Sequence, residues 1–273
     1  VTRNSMTDVV VATGTVEPVT KVDVGTQVSG IIDRIYVDYN SVVKKGQLIA
    51  EMDKVTLQAE LESQEAQLAN AKAEYEYQQK NYARSKVLFE KQLISDSDYE
   101  EATYNYEKAK STYEKSKADI VKVRRNLGYA VITSPIDGVV ISREVEEGQT
   151  VAAGFETPTL FTIAKDLTEM QVIADVDEAD IGEIREGQRV TFTVDAYRND
   201  AFEGVVTQVR LEATVESNVV TYEVVISAPN PDLKLKPGLT ANITVYTMEK
   251  DNILLAPLKA FRFTPEANPE DPY

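Results

Sequence analysis

Residues 55–90 read VTLQAELESQEAQLANAKAEYEYQQKNYARSKVLFE and residues 99–127 read YEEATYNYEKAKSTYEKSKADIVKVRRNL, and these two stretches decide the fold. In each of them, mostly apolar, small or tyrosyl side chains recur at alternating steps of three and four residues, which is typical of helices that pair along one stripe. Neither Pro nor Gly interrupts the pattern before Gly128, so it predicts two helices of roughly 35 and 30 residues. The predicted seam consists of Leu57, Leu61, Gln64, Leu68, Ala71, Tyr75, Gln78, Tyr82, Ser85 and Phe89, and of Tyr99, Ala102, Tyr106, Ala109, Tyr113, Ser116, Ile120, Val123 and Leu127.

The turn between the two helices is short, from Gln92 to Asp98, so they are predicted to pair as an antiparallel hairpin. Ser95 or Ser97 can cap the start of the second helix, and Gly128 is predicted to end it. The seam is tyrosyl and partly polar rather than leucine-rich. This composition fits either a narrow, half-hydrated seam or a seam that is built to open.

The composition excludes several kinds of site. The 273 residues include no Cys and no His, which removes thiol nucleophiles, imidazole bases and the usual zinc ligands. The net charge is −16, yet residues 54–127 hold thirteen basic and thirteen acidic side chains, so the excess acid lies outside the hairpin. This distribution argues against nucleic-acid binding, which requires a basic surface. The length allows two or three domains.

Membrane attachment, if it exists, is expected to come from outside the sequence. No stretch approaches the run of about eighteen apolar residues that a spanning helix requires. The first residue is Val rather than Met, so we expect a partial or processed chain that lacks an upstream anchor. The sequence leaves open whether that anchor is a helix or a lipid.

Two similar segments flank the hairpin. They are GIIDRIYVDYNSVVKKGQLIAEMD at residues 30–53 and SPIDGVVISREVEEGQTVAAG at residues 134–154. Aligning Gly30 with Gly138 places Asn40 opposite Gly148, and Asn is the non-glycine residue that best tolerates the left-handed backbone of such a turn. The same alignment matches Val37 with Val145 and Val43 with Val151. A repeat whose halves bracket an insertion predicts one small β-sandwich that the hairpin splits in two.

These segments resemble the two halves of a lipoyl, or biotinyl-like, domain, with turn positions at Gly30, Asn40, Gly46, Gly138 and Gly148. A lipoyl domain split by a helical hairpin resembles the periplasmic adaptor proteins, also called membrane fusion proteins, of tripartite efflux pumps and type I secretion systems. Residues 22–53 are especially similar to the adaptors of macrolide-type ABC exporters. The family usually has Gly where this chain has Asn40.

The resemblance and the strand pattern together divide the chain into four parts. Regular short strands with Gly or Pro turns predict a small antiparallel β-barrel over residues 165–248. The resemblance implies a partial membrane-proximal domain built from residues 1–21 and 249–273. The lipoyl halves are assigned to residues 22–54 and 129–164, and the hairpin to residues 55–128. The predicted class is therefore α+β, in an elongated multidomain arrangement.

Lys54 offers an alternative function. Residues 50–56, AEMDKVT, resemble the modified-lysine turn of lipoyl carriers, and a lipoylated Lys54 would make the chain a component of an acyl-transfer complex. A carrier turn leads directly into its second strand, however, whereas the whole hairpin intervenes here. The sequence also has no phosphate-binding glycine loop and no nucleophile elbow. We therefore predict a protein without enzymatic activity, cofactor or bound metal.

The end of the hairpin carries the sharpest candidate site. Arg84, Leu88 and Ser95 fit the spacing RxxxLxxxxxxS, which resembles the motif that docks the family's hairpins onto an outer-membrane channel of the TolC type. An ordinary exposed Arg, a Leu beside the seam and a capping Ser are the alternative. In the second lipoyl half, the turn that ends at Gln149 resembles the loop lining the opening of the family's ring, which makes Gln149 a candidate gate.

The resemblance implies an adaptor that connects an inner-membrane transporter to a TolC-like channel. The transporter is expected to be of the ABC type, with the proton-driven RND type as the second choice. The adaptor is expected in the periplasm, attached to the inner membrane and assembled as a hexameric ring, with no nucleic-acid partner. A spacer or adaptor that docks to no outer-membrane channel is the remaining alternative, and the exported substrate is left open.

Overall fold

The computed structural model describes residues 2–154, 157–216 and 219–255. Two compact units make up the chain. One comprises Lys21–Ala164, and the other combines the residues up to Thr20 with those from Lys165 onward. Each unit has its own hydrophobic core.

The secondary structure follows the order β-strands, helical hairpin, β-strands. The elements of the first half are β1 (Thr2–Pro18), β2 (Lys21–Gly25), β3 (Gly30–Ile35), β4 (Val42–Val43), β5 (Leu48–Met52) and α1 (Val55–Glu90). Those of the middle are α2 (Asp96–Tyr129), β6 (Val131–Thr133), β7 (Gly138–Arg143), β8 (Thr150–Val151) and β9 (Thr159–Ala164). The last are β10 (Glu169–Asp177), a 3₁₀ turn (Ile181–Glu183), β11 (Arg189–Val194), β12 (Tyr197–Glu216), β13 (Val219–Pro229) and β14 (Thr240–Leu255).

The helices pair as the heptad pattern predicts. α1 has 36 residues and α2 has 34, and all nineteen predicted seam positions are buried or half-buried. Ser95 is the residue that caps α2. The prediction that Gly128 ends α2 is wrong, because the helix continues to Tyr129 and Ala130 forms its end.

The halves on either side of the hairpin form one β-sandwich. Its sheets have the orders β2-β9-β7-β4 and β6-β5-β3-β8, so each sheet takes two strands from each half. Replacing each strand by its counterpart in the other half (β2 by β6, β3 by β7, β4 by β8, β5 by β9) converts one sheet order into the other. This pseudo-twofold arrangement confirms the predicted split sandwich. It buries apolar side chains of both halves between the sheets, including Ile32, Ile49, Val140, Phe161 and Ile163.

The second unit is a closed six-stranded barrel in the order β1-β10-β13-β12-β11-β14. Alternate residues of its strands point inward, since side chains alternate between the two faces of a strand. Val16, Val172, Phe192, Ile226 and Ile243 are almost completely buried in its interior.

The position of β1 differs from the sequence prediction, which assigns residues 1–21 to a membrane-proximal domain. Thr13–Pro18 pair with β10, and the same strand pairs with β14, so β1 closes the barrel. The barrel closes only with a strand between β10 and β14, and β1 takes this place. The side chains of Val10, Ala12 and Val16 point inward and pack in the core of the barrel. Only the outer end of β1 extends beyond β10, as a ribbon in which Thr2–Asp8 pair with the end of β14. Residues 256–273 of the predicted membrane-proximal domain lie outside the described residues.

Candidate functional site

The turn at the end of the hairpin is held by local hydrogen bonds. The backbone N–H groups of Gln92 and Leu93 donate to the carbonyls of Phe89 (2.8 Å) and Leu88 (2.9 Å). Gln92 takes a left-handed backbone conformation with φ of 59°. The chain therefore reverses direction in a defined geometry between the two helices.

Ser95 and Asp98 begin α2 with a reciprocal capping box. The backbone N–H of Asp98 donates to Ser95 Oγ (3.2 Å), and the backbone N–H of Ser95 donates to Asp98 Oδ2 (3.3 Å). Ser95 Oγ also donates to Asp98 Oδ2 at 2.7 Å. These hydrogen bonds lower the pKa of the Asp98 carboxyl below its ordinary value.

The three predicted docking residues lie at this end of the hairpin. Arg84 is exposed on α1, and Leu88 is half-buried one helical turn closer to the tip. Ser95 is exposed, but its hydroxyl already serves the capping box. Leu93, in the turn itself, is 65% exposed and adds an apolar side chain that the motif did not include. The docking role of Arg84, Leu88 and Ser95 stays a prediction.

Six aromatic rings form a continuous ladder along the tip half of the seam. In stacking order they are Tyr113, Tyr75, Tyr106, Tyr82, Tyr99 and Phe89, with successive ring centroids 5.4, 5.8, 5.0, 6.0 and 4.5 Å apart. The rings alternate between α2 and α1. Each of the four inner rings thus packs between two rings of the other helix, and this stacking helps to fix the register of α1 against α2.

Two pairs of hydroxyl groups in the ladder are hydrogen-bonded. The Tyr82 and Tyr99 hydroxyls lie 3.3 Å apart, and this contact raises the pKa of Tyr82. A hydrogen bond to Tyr106 similarly raises the pKa of Tyr75. The sequence allows either a narrow, half-hydrated seam or a seam that is built to open. Half-buried rings with paired hydroxyls are the arrangement expected of the narrow seam.

Gln149 closes the turn of which it is part. Its side-chain Oε1 accepts a hydrogen bond from the backbone N–H of Glu146 at 2.9 Å. Two other Gly-Gln turns have the same geometry: Gln47 Oε1 accepts from the Lys44 N–H, and Gln188 Oε1 accepts from the Arg185 N–H, both at 2.9 Å. The sequence Gly-Gln recurs at 46–47, 148–149 and 187–188, and this repeat is the signal that could have predicted the turn-closing hydrogen bond. The gating role of Gln149 stays a prediction.

Three of the five predicted lipoyl turn positions lie in turns with a left-handed backbone, whereas Gly30 and Gly138 instead begin the strands β3 and β7. Asn40 has φ of 62°, close to the 81° of Gly148 opposite it in the repeat, and Gly46 has φ of 80°. At Gly138 a Cβ would lie 2.1 Å from the carbonyl oxygen of Ala164, so only glycine lets β7 and β9 approach this closely. At Gly30 the nearest atom to a Cβ would be the end of the Met52 side chain, at 3.1 Å.

Lys54 immediately precedes α1, and its side chain is paired. Its Nζ lies 2.7 Å from Oε2 of Glu51, and the hydrogen bond from Lys54 is the main reason why the pKa of Glu51 is lowered. In a carrier the modified lysine stands at an exposed hairpin tip, whereas Lys54 lies at the base of a long helix with its side chain 27% exposed. The geometry does not favour the lipoyl-carrier alternative.

The residues that the structure describes contain neither a cluster suited to a metal ion nor a helix suited to crossing a membrane. Within this part of the chain, no group of three or more His, Cys, Asp or Glu side chains is arranged to hold a metal ion. Neither of the two long helices is apolar enough to cross a membrane.

Comparison with known proteins finds similarity over most of the chain. Residues 20–163 match the family described as RND MFP, barrel-sandwich hybrid domain, and residues 172–249 match the CusB-like β-barrel domain. The macrolide export protein MacA of Yersinia pestis is 31% identical over 265 residues, covering 92% of this chain and 71% of that protein. The pyoverdine export membrane fusion protein PvdR of Pseudomonas putida is 35% identical, covering 95% and 75%. The crystal structure of MacA from Actinobacillus actinomycetemcomitans has a TM-score of 0.76 at 32% identity, covering 92% and 82%.

Proposed function

Because the chain belongs to the membrane fusion proteins, the adaptors of efflux and export systems, we propose that it connects an inner-membrane transporter to an outer-membrane channel of the TolC type. The hairpin is the observation that carries this proposal. Its helices of 36 and 34 residues are anchored at one end in the split sandwich. At 1.5 Å per residue they reach about 50 Å from it.

The tip of the hairpin is proposed as the docking end. Exposed Arg84 presents a planar guanidinium that can bind carbonyl or carboxylate oxygens of a partner in a bidentate manner. Leu88 and exposed Leu93 add apolar surface beside it. A small contact of this kind combines a charged anchor with a few apolar side chains, as interface hot spots do.

The transporter is proposed to be of the ABC type. This choice rests on the similarity of residues 22–53 to adaptors of macrolide-type ABC exporters, and the named relatives include macrolide export and pyoverdine export proteins. The matched family description names RND systems instead, so an RND transporter is the second candidate. Purification of the chain with its inner-membrane partner tells the two apart, since only an ABC transporter hydrolyses ATP.

The remaining parts of the proposal follow from the family. The chain acts in the periplasm without catalysing a reaction, attached to the inner membrane, and the energy for export comes from its transporter. Several copies assemble as a ring, proposed to be hexameric, whose hairpins surround the path of the substrate. In this arrangement the turn at Gln149 would face the opening of the ring.

The experiment that tests docking reverses or inserts charge at the tip. Arg84→Asp and Leu88→Asp are each expected to abolish export in cells that depend on this adaptor, while thermal unfolding and ring formation stay as in the unchanged protein. Lys86→Asp, a charge reversal at another exposed position of the same helix, is the matched control and is expected to export normally. Normal export by both Arg84→Asp and Leu88→Asp would overturn the docking assignment.

A further inference from the structure

A cavity of about 650 Å³ lies between two loops that occupy equivalent positions in the two halves of the split sandwich, residues 35–41 and 143–149. This volume is in the range of sites that hold small organic molecules. The cavity is lined by Ile35, Tyr36, Val37, Asp38 and Ser41 of the first loop and by Arg143, Glu146 and Glu147 of the second. Its walls therefore combine apolar side chains with charged groups of both signs.

The two loops are held in place by equivalent hydrogen bonds. The backbone N–H of Asn40 donates to the carbonyl of Val140 at 2.9 Å, and the corresponding N–H of Gly148 donates to the carbonyl of Ile32 at 2.8 Å. Each of these bonds ties one loop to a strand of the other half. The walls of the cavity are therefore in place before a ligand binds, which lowers the cost of binding.

The guanidinium of Arg143 is fixed within the wall of the cavity. Its Nη1 donates to the carbonyl of Val145 at 2.8 Å. The guanidinium carbon lies 5.4 Å from the centroid of the Tyr39 ring, and the Tyr39 hydroxyl donates to the Arg143 carbonyl at 2.9 Å. The side chain of Arg143 is only 23% exposed, so its positive charge is partly removed from water.

The Nε of Arg143 is buried and has no hydrogen-bond partner. Oδ1 of Asp38 lies 3.4 Å from it as an ion pair, and this oxygen already accepts the backbone N–H of Tyr39 at 2.9 Å. Buried polar groups are seldom left without a hydrogen bond. Because the side chain of Asp38 is 75% exposed, a ligand carboxylate can displace it and bind the guanidinium in a bidentate manner.

The opposite charge in the cavity comes from two glutamates. Oε1 of Glu147 accepts the backbone N–H of Ile35 at 2.8 Å, which leaves its second oxygen for a ligand. The side chain of Glu146 is exposed, and within the described ranges of the chain its carboxylate has no hydrogen bond or ion pair. An uncommitted carboxylate in a cavity wall attracts an ammonium group.

We infer that this cavity binds a short zwitterionic peptide, with the carboxylate of the peptide on Arg143 and its ammonium group on Glu146. Uncommitted groups of opposite charge around one cavity favour a ligand that carries both charges over a purely anionic or cationic one. The apolar side chains of Ile35 and Val37 add surface for the side chains of the peptide. The inference goes beyond the proposed function and depends neither on the ring nor on channel docking.

Calorimetric titration of the unchanged chain with trialanine and two capped forms tests the inference. Trialanine carries both charges, N-acetyl-trialanine lacks the ammonium group, and trialanine amide lacks the carboxylate. Each cap removes one charge-assisted contact and is expected to weaken binding by about 10- to 100-fold. Equal binding of trialanine and either capped form, or no binding of trialanine at about 10 mM, would overturn the inference.

Variants of the chain locate the site. In Glu146→Gln, N-acetylation is expected to have no further effect on binding, and in Arg143→Gln the amide cap is expected to have none, because the effects of groups in contact are not additive. Glu144→Gln is the matched control, since it removes the same charge from an exposed glutamate that does not line the cavity. It is expected to bind the three peptides as the unchanged chain does.

The control separates the cavity from general attraction, because a chain with a net charge of −16 attracts ammonium groups over its whole surface. An equal loss of trialanine binding in Glu144→Gln and Glu146→Gln would show such general attraction and overturn the site. Thermal unfolding checks that the variants fold. If Arg143→Gln does not fold, trialanine amide on the unchanged chain still decides whether the guanidinium takes part.

Discussion

Replacing Tyr106 by Ala is expected to loosen the tip half of the hairpin while the rest of the chain stays folded. Tyr106 is in the middle of the ladder, with its ring centroid 5.8 Å from that of Tyr75 and 5.0 Å from that of Tyr82. Each aromatic pair contributes about 0.5–1.5 kcal/mol beyond its buried area. The loss of two pairs and of a half-buried ring therefore lowers local stability by about 2–3 kcal/mol.

Amide hydrogen exchange measures this local effect. Because each 1.4 kcal/mol changes an equilibrium constant tenfold, amides of α1 from Tyr75 to Phe89 are expected to exchange about 30- to 150-fold faster in Tyr106→Ala. Amides of the barrel should keep their rates.

Tyr104→Ala is the matched control, since it is the same change two residues away on the same helix. Tyr104 is 63% exposed and contacts only the ammonium of Lys108, 5.9 Å from its ring centroid, among the aromatic and cation contacts described. Its removal is expected to cost no more than about 0.5–1 kcal/mol. Tyr106→Phe keeps the ring and should exchange nearly as slowly as the unchanged protein. Equal exchange rates in Tyr106→Ala and Tyr104→Ala would refute the claim that the ladder holds the seam.

Three further changes test other parts of the structure. Gly138→Ala forces β7 away from the neighbouring strand and is expected to cost more than about 2 kcal/mol, measured by thermal unfolding. Ser95→Ala removes the capping box and is expected to cost about 1 kcal/mol, seen as faster exchange at the start of α2. The folded chain lowers the pKa of Asp98, so the ionised carboxyl stabilises the folded state above about pH 4. This stabilisation is lost as pH falls through the lowered pKa, and Ser95→Ala should flatten this pH dependence of stability. Gln149→Ala and Gln47→Ala are expected to weaken their turns equally, by about 1 kcal/mol, but only Gln149→Ala is expected to alter export. Normal export by both variants would contradict a gating role for Gln149.

The hairpin could be predicted from the sequence because its signal is local. A stripe repeating every three and four residues determines which side chains are buried, whatever lies beyond the helices. The split sandwich could be predicted because Asn40 and Gly148 need the same unusual backbone conformation, which left a match in the sequence.

The position of β1 could not be read in this way. Val9, Val11 and Thr13 lie on the exposed face of β1, whereas Val10 and Ala12 point into the barrel. Because the strand has apolar residues on both faces, its pattern indicates neither the buried face nor the partner strand. The partner, β14, begins at Thr240, more than two hundred residues later, so the pairing depends on closure of the whole barrel. The end of α2 was misassigned because Gly128 lies within the last turn of the helix rather than after it.

At the candidate site, the sequence located the tip but not its internal contacts. The spacing of Arg84, Leu88 and Ser95 gave no sign that the Ser95 hydroxyl is bound to Asp98. The tyrosines of the seam were identified one by one, whereas the continuous stacking of their rings depends on the axial offset between α1 and α2. That offset is set by the turn together with the stacked rings, and the heptad pattern alone does not specify it.

Photo-cross-linking from the tip tests the central claim, that the hairpin connects an inner-membrane transporter to an outer-membrane channel. Benzoylphenylalanine placed at Leu93, in export-active cells, is expected to form a covalent adduct with an outer-membrane channel protein. The same residue placed at Tyr77, which is exposed on α1 farther from the tip, is expected to form no adduct with the channel protein. Adducts from Leu93 that contain only copies of this chain or inner-membrane proteins, while export continues at its normal rate, would contradict the bridging role.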